Sequence, residues 1–234
     1  MRESKAILSY MTDAIFPTAY LLDFDGTITT VDSLCFLLDK YGDPRWREFD
    51  KRVERGDATE RESLVWQMAT LRIPFPDAVA EVVQSIRLRE GVEQFFFWCE
   101  SNGFPLRIVS GGYEELIAAV LNRWGITAEI VANRFPGYDS EGGWLVESRH
   151  PRLDDCRYSC CKCGSLEWTR RCAKKTVYIG DGVTDYCVAA KCDRIYALSG
   201  GALARMLARD NIPNRHFQTF DEIVIAEQQR LEFQ

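Results

Sequence analysis

Ala19-Tyr20-Leu21-Leu22-Asp23-Phe24-Asp25-Gly26-Thr27 is the stretch on which the reading of this chain turns. A short apolar run ends in an acidic loop, which is how a buried parallel strand delivers polar residues to its C-terminal edge. Alternate residues of an extended segment share a face, so Asp23 and Asp25 place two carboxylates on one side. Gly26 then lets the chain turn tightly. Two adjacent carboxylates repel, and a bound cation or a shared proton relieves them. By itself the pentapeptide from Asp23 to Thr27 could also be a solvated acidic turn.

Working outward, three further apolar runs read as strands: Leu106 to Ser110, Thr176 to Ile179 and Arg194 to Ala197. Helical patterns follow, including Glu114 to Trp124, with Leu116, Ile117, Val120 and Leu121 on one face, and Val183 to Ala190. Strand alternating with helix predicts a parallel α/β sheet. Between Asp32 and Leu88 no strand pattern appears, only amphipathic stretches: Asp32 to Tyr41, Pro44 to Glu54, Thr59 to Leu71 and Asp77 to Ile86. Residues 32–88 are therefore expected to form an all-helical cap inserted into a catalytic core of residues 1–31 and 89–234. From Ile130 to Glu147, apolar residues flank Pro136-Gly137 and Gly142-Gly143, which predicts a small β-hairpin.

The chain's 234 residues can bury a core without disulfides or a structural metal. Hydrophobic residues at 46% and charged residues at 27% suit a globular protein rather than a disordered one. With 29 Lys and Arg against 35 Asp and Glu, the net charge is −6, and no overall positive field is available to gather a nucleic acid. No apolar run approaches the ~20 residues that span a bilayer, and the N-terminal stretch from Met1 to Asp13 reads poorly as a secretory signal. A cytoplasmic protein is expected, with reduced thiols, since the nine cysteines are odd in number and seven lie between Cys156 and Cys192.

A second acidic element, Ile179-Gly180-Asp181-Gly182-Val183-Thr184-Asp185, also ends an apolar strand. Strand ends of an open α/β sheet converge on one crevice. Three or four carboxylates gathered there would destabilise the fold unless they bind a hard divalent cation. Ser110-Gly111-Gly112 follows another strand and precedes a helix, offering a hydroxyl and backbone N–H groups to a phosphate oxygen; a plain helix cap is the alternative.

The ordered set Asp23-x-Asp25-Gly26-Thr27, Ser110-Gly111-Gly112, a later lysine and Gly180-Asp181-Gly182-x-x-Asp185 resembles the haloacid dehalogenase phosphatases. The helical insert resembles the subgroup of phosphoserine phosphatase and the methionine-salvage phosphatase. Similarity runs from Tyr20 to about Ala197, including Val131-Ala132-Asn133-Arg134 at the expected hairpin entry. The resemblance implies a Rossmann-like parallel sheet core and magnesium-dependent hydrolysis of a small phosphorylated metabolite through an aspartyl-phosphate. It makes Asp23 the nucleophile and Asp25 the acid and base. Magnesium would be held by the Asp23 carboxylate, the Asp25 carbonyl and Asp181, with Asp185 in support. Ser110 and a lysine would stabilise the transferring group, with Thr27, Gly111, Gly112 and Asp32 on the substrate side. The family's lysine lies about twenty positions before the Gly-Asp-Gly motif at a helix start, which selects Lys162, nineteen before Asp181, over Lys174 and Lys175.

In phosphoserine phosphatases an acidic cap residue nine positions after the nucleophile receives the substrate amine, and Asp32 occupies that place; it could equally be a helix N-cap. Those enzymes carry an Arg after a Ser-Leu pair for the substrate carboxylate, but here Ser63-Leu64 is followed by Val65, with Arg61 nearby. Cys156, Cys160, Cys161, Cys163 and Cys172 surround Lys162, and Cys160-x-x-Cys163 has zinc-ligand spacing that Cys156 and Cys172 could complete. A Cys-rich stretch before this lysine resembles the methionine-salvage branch and points to a keto-enol or sugar-like phosphate. Phosphoserine phosphatase, a phosphotransferase of the same superfamily, and a non-enzymatic binding protein on the same scaffold are the alternatives. The last is expected to have lost a carboxylate, yet Asp23, Asp25, Asp181 and Asp185 are all present.

Overall fold

The computed structural model describes residues 15–149 and 161–232. The stretch from Met1 to Asp13, and Cys156 and Cys160 of the proposed zinc set, lie outside the described residues. Strands β1 (Phe16–Leu22), β2 (Leu106–Tyr113), β3 (Glu129–Asn133), β4 (Ala173–Gly180), β5 (Arg194–Leu198) and β6 (Arg215–Phe217) form one sheet. Its order is β3-β2-β1-β4-β5-β6, and every neighbouring pair is parallel. The alternation of a strand divides the side chains between two faces. Tyr20, Leu22, Ile108, Val177, Ile179 and Tyr196 enter one core, whereas Leu21, Val109, Tyr178, Ile195 and Ala197 enter the other. Both faces being covered is why β1 and β4 read as continuous apolar runs.

After β1 the chain makes a run of four helices, α1 (Ser33–Tyr41), α2 (Trp46–Arg55), α3 (Glu60–Thr70) and α4 (Phe75–Ser85), and a fifth precedes its return to the sheet at β2. Asp32 caps α1 by accepting from Cys35 N at 2.8 Å. Thr59 and Glu62 form a reciprocal capping box on α3, which satisfies orphan donors at both positions. Helix α4 starts at Phe75, two residues before the expected start, because Pro76 sits in the first turn, where its missing N–H costs nothing. Leu37, Leu38, Trp46, Met68, Ala78 and Val82 pack this helical run into the same apolar cluster as β1 and β2. Each buried Leu, Met or Val among them contributes roughly 1.5–3 kcal/mol.

Helices α5 (Val92–Ser101), α6 (Glu114–Arg123) and α10 (Phe220–Glu232) cover the first face of the sheet. Helices α7 (Gly164–Cys172), α8 (Tyr186–Ala189) and α9 (Ala202–Arg209) cover the second. No helix among the described residues is long and apolar enough to cross a membrane. Three local readings are refined by the fold. The helix expected over Val183 to Ala190 opens as a 3-10 turn, Val183–Asp185, before α8. Strand β2 runs on through Gly111-Gly112 to Tyr113 instead of ending at Ser110, with an irregular register between Val109 and Tyr113. The hairpin reading holds at its centre and differs at its start. Ile130 to Asn133 belong to the parallel edge strand β3, and the reversal behind it is held by the antiparallel bridges Arg134↔Glu147 and Tyr138↔Trp144. Pro136 lacks an N–H, which limits the ladder there.

Candidate active site

Strands β1 and β4 end side by side, and their acidic loops meet just beyond the sheet. Asp23 N donates to Ile179 O at 2.9 Å, which fixes the start of the first loop against the end of β4. At Gly26 φ is +78°, and a Cβ there would lie 2.7 Å from Asp181 Oδ2, so the turn and the approach of the second loop both require glycine. The Thr27 hydroxyl donates to Asp181 Oδ1 at 2.6 Å and ties the loops together.

Lys162 is buried and donates to Asp23 Oδ1 and Asp185 Oδ1, each at 2.6 Å. Asp185 is saturated. Its Oδ1 also accepts the Tyr178 hydroxyl at 2.6 Å, and its Oδ2 accepts Asp181 N at 3.0 Å and Gly182 N at 2.8 Å. Those two backbone bonds pin the turn that precedes α8. Asp23, Asp181 and Asp185 each offer an oxygen within 4.8 Å of the others, the one such ligand group among the described residues. Because the Asp185 oxygens are already engaged, Asp23 and Asp181 are the side chains with acceptor capacity left for a cation. All donors in the set are hard oxygens, which fits magnesium or a similar ion.

Asp25 faces the same space from the other side. Its Oδ1 accepts Ser33 N at 2.8 Å, and a Cβ on Gly112 would lie 2.9 Å from its Oδ2, so Gly112 leaves room for this carboxyl. Buried Ser110 accepts Gly112 N on its Oγ at 3.0 Å, and Asn133 Nδ2 donates to Gly111 O at 2.7 Å. Asp23, Asp25, Thr27, Ser110, Gly112, Lys162, Asp181 and Asp185 thus belong to one connected site.

The electrostatics follow from crowding. Burial, then the charge of Asp32, pushes Asp25 up to about 7. Burial and Asp185 raise Asp181 to about 6. Asp23 is raised well above the carboxylate range by burial and Asp185, with Lys162 opposing. Burial works against the Lys162 ammonium, but Asp185 and Asp23 outweigh it and hold its pKa above the ordinary value. One buried ammonium does not balance this many carboxylates, so the site favours additional positive charge or bound protons.

Asp32 is the helix N-cap that the sequence allowed, on α1, and its charge acts on Asp25. Val65 and Arg61 are exposed on α3. Lys174 and Lys175 are exposed on β4, where Lys175 pairs with Asp193 at 2.9 Å. Of the proposed zinc set, Cys172 donates its thiol to Thr169 O at 3.5 Å within its own helix. Cys163 instead lies 3.4 Å from Cys187 of α8 and 3.5 Å from Lys191 Nζ. These neighbours lower its thiol to about 6. Sequence reasoning missed Cys187, Tyr178 and Arg89. Tyr178 reads as a core residue of β4, and no local pattern marks Arg89.

Comparison with known proteins gives a consistent picture. The family model described as haloacid dehalogenase-like hydrolase matches residues 20–190. A polyol phosphate phosphatase of Saccharomyces cerevisiae is 27% identical over 227 residues, covering 89% of this chain and 92% of that one. A 2-hydroxy-3-keto-5-methylthiopentenyl-1-phosphate phosphatase of an Exiguobacterium species is 29% identical over 209 residues, covering 88% of this chain and 95% of that one. A solved substrate complex of phosphoserine phosphatase superposes with a TM-score of 0.69 at 18% identity, covering 92% of this chain and 99% of that one; the likeness is one of fold.

Proposed function

The chain belongs to the haloacid dehalogenase-like hydrolase family and is a phosphatase of that family, and from that premise we propose that it hydrolyses a small phosphate monoester through an aspartyl-phosphate on Asp23. The carrying observation is the cluster of Asp23, Asp181 and Asp185 around the single buried Lys162 at the ends of β1 and β4. In the first step an Asp23 oxygen bonds to phosphorus as the ester oxygen leaves, and the leaving oxygen takes a proton from Asp25. In the second, Asp25 takes a proton from water as that water attacks the aspartyl-phosphate, releasing inorganic phosphate and restoring Asp23. A side chain held near 7 suits both proton transfers.

Asp23, Asp181 and the Asp25 carbonyl would hold Mg2+, which when bound supplies charge neutralisation for the phosphoryl oxygens. Lys162, fixed between two carboxylates, supplies positive charge beside the nucleophile, while the Ser110 hydroxyl and the backbone at Gly111 and Gly112 serve the phosphoryl oxygens. Asp185 acts by orienting Lys162 and the turn at Asp181 and Gly182. Residues 32–88 act as a cap over the crevice, with Asp32 facing the substrate.

For the substrate we favour a keto-enol or sugar-like phosphate without an amino-acid head. The named activities of the polyol phosphate and methionine-salvage relatives support this class. The test is phosphate release from a panel of small monoesters with Mg2+: polyol, sugar and keto-enol phosphates are expected to be turned over. No release from any monoester would overturn the reading.

A further inference from the structure

Arg89 follows directly on the helical run, and one residue of the catalytic loop after another is bonded to it. Its main-chain N donates to Ile28 O at 2.7 Å. Its Nε donates to Thr27 O at 2.8 Å, and its Nη2 donates to Gly26 O at 2.6 Å and to Thr29 O at 3.4 Å. The carbonyls of all four residues that follow Asp25 therefore end on this single side chain and its backbone. The loop has no regular ladder to satisfy them: Asp25 has φ −71° and ψ 124°, and Gly26 has φ +78°. Thr27 and Ile28 are buried, so water is a poor substitute donor there.

The same segment is the junction between the helical run and the sheet. Thr29 and Leu88 form an isolated antiparallel bridge, and Thr30 N donates to Arg87 O at 3.1 Å. The outgoing and returning arms are thus paired, and the Arg89 guanidinium lies on the catalytic side of the pair. Burial disfavours its charge, and Asp181 is the carboxylate that favours it. Two reactive positions depend on the carbonyls it holds. Thr27, whose carbonyl takes Nε, gives its hydroxyl to Asp181; Asp25 is joined to Gly26, whose carbonyl takes Nη2.

We propose that Arg89 is a positioning residue that locks the loop from Gly26 to Thr29 at the base of the paired arms and thereby sets the places of Asp25 and, through Thr27, Asp181. This rests on the phosphatase reading above. Nε and Nη2 are committed to carbonyls, so Arg89 acts on turnover through the loop. A lysine cannot reproduce it, because an ammonium lacks the planar fork that spans Gly26 O and Thr27 O.

The test compares the full-length protein with Arg89→Ala and Arg89→Lys, using para-nitrophenyl phosphate and Mg2+, with circular dichroism at the assay temperature. A misplacement of about 1 Å costs about 100-fold, so kcat of Arg89→Ala should fall about 10- to 100-fold with KM changed less than about three-fold. Guanidinium at low millimolar concentration should restore part of the lost kcat in Arg89→Ala and do nothing for the wild type. Amide exchange in the peptide around residues 24–30 should speed up in the same variant. Wild-type kcat in a folded Arg89→Ala protein, a loss confined to KM, or a loss that guanidinium leaves untouched would overturn the proposal. If Arg89→Ala does not fold, Arg89→Lys decides: wild-type kcat there overturns it, and a reduced kcat at unchanged KM supports it. A wild type inactive on every phosphate monoester fails the phosphatase reading instead, and amide exchange still reports on the loop.

Discussion

Two buried carboxylate centres bear on the same sheet, and they are built on opposite plans. Glu227, on α10, is 3% exposed and accepts the Tyr20 hydroxyl at 3.0 Å, the Tyr196 hydroxyl at 2.8 Å, and Arg194 through Nε at 3.0 Å and Nη2 at 2.6 Å. Burial and Glu227 raise both tyrosines above their ordinary range, so they remain donors. One carboxylate there has four hydrogen bonds, two of them from the Arg194 guanidinium, and Arg230 Nε lies 3.9 Å away. Around Lys162 the proportion is reversed, with Asp23 and Asp185 sharing one ammonium, Asp181 beside them and Asp25 close enough to feel its charge. A closed donor set is what a stable core demands; an unbalanced one is tolerated where a ligand supplies the missing charge.

The largest effect should come from exchanging the carboxylates for amides in each centre. Asp23→Asn should lower turnover by on the order of 10^4-fold or more, since an amide is a poor nucleophile. The metal-free protein should stay folded and melt no lower than the wild type, because a carboxylate is removed from a crowd of like charges. Glu227→Gln should behave in the opposite sense, losing about 2–3 kcal/mol in urea unfolding while kcat stays within about two-fold. Wild-type turnover by Asp23→Asn, or an inactive but folded Glu227→Gln protein, would break the distinction.

Metal removal sharpens it. Chelation should abolish phosphate release, and Mg2+ should restore it. Ligand linkage also predicts a rise in thermal midpoint with Mg2+, worth about 2.7 kcal/mol at 100 times the dissociation constant. That rise should survive in Glu227→Gln and shrink in Asp181→Asn. Full activity in chelated protein, or an unchanged midpoint response in Asp181→Asn, would count against the assignment of the open centre.

What the sequence made legible follows the same division. Strands β1 and β4 were readable because both of their faces are buried and each ends in a carboxylate loop. Lys162 could be picked by its distance from Asp181, and it lies 2.6 Å from both Asp23 and Asp185. Strand β6 was not readable: it has three residues, and only Phe217 is buried. Arg89 and Tyr178 were invisible for another reason. Arg89 acquires its partners sixty or more positions away in the chain, and Tyr178 looks like any large residue on a buried strand until Asp185 turns back to meet it. Cys163 drew attention as half of a metal pair, whereas its neighbour Cys187 arrives from α8.

The smallest expected effect concerns substrate choice, which the proposed reading assigns to the helical run of residues 32–88 and not to the shared centre. A phosphoserine head needs a partner for its carboxylate, and bidentate arginine is the strongest such partner. Val65 stands where that arginine is expected, on the outer side of α3, 45% exposed and away from buried Ser63, Gln67 and Met68. The wild type should therefore show a lower kcat/KM for phosphoserine than for a polyol or keto-enol phosphate. Val65→Arg should improve phosphoserine by only about two- to five-fold, because a half-exposed ion pair contributes about 1 kcal/mol or less. The gain should appear in KM, since the added contact lies far from the reacting atoms. Steady-state kinetics on both substrate types measures this directly. A wild-type preference for phosphoserine would show that the substrate carboxylate is met elsewhere, with the exposed Arg61 the first side chain to replace.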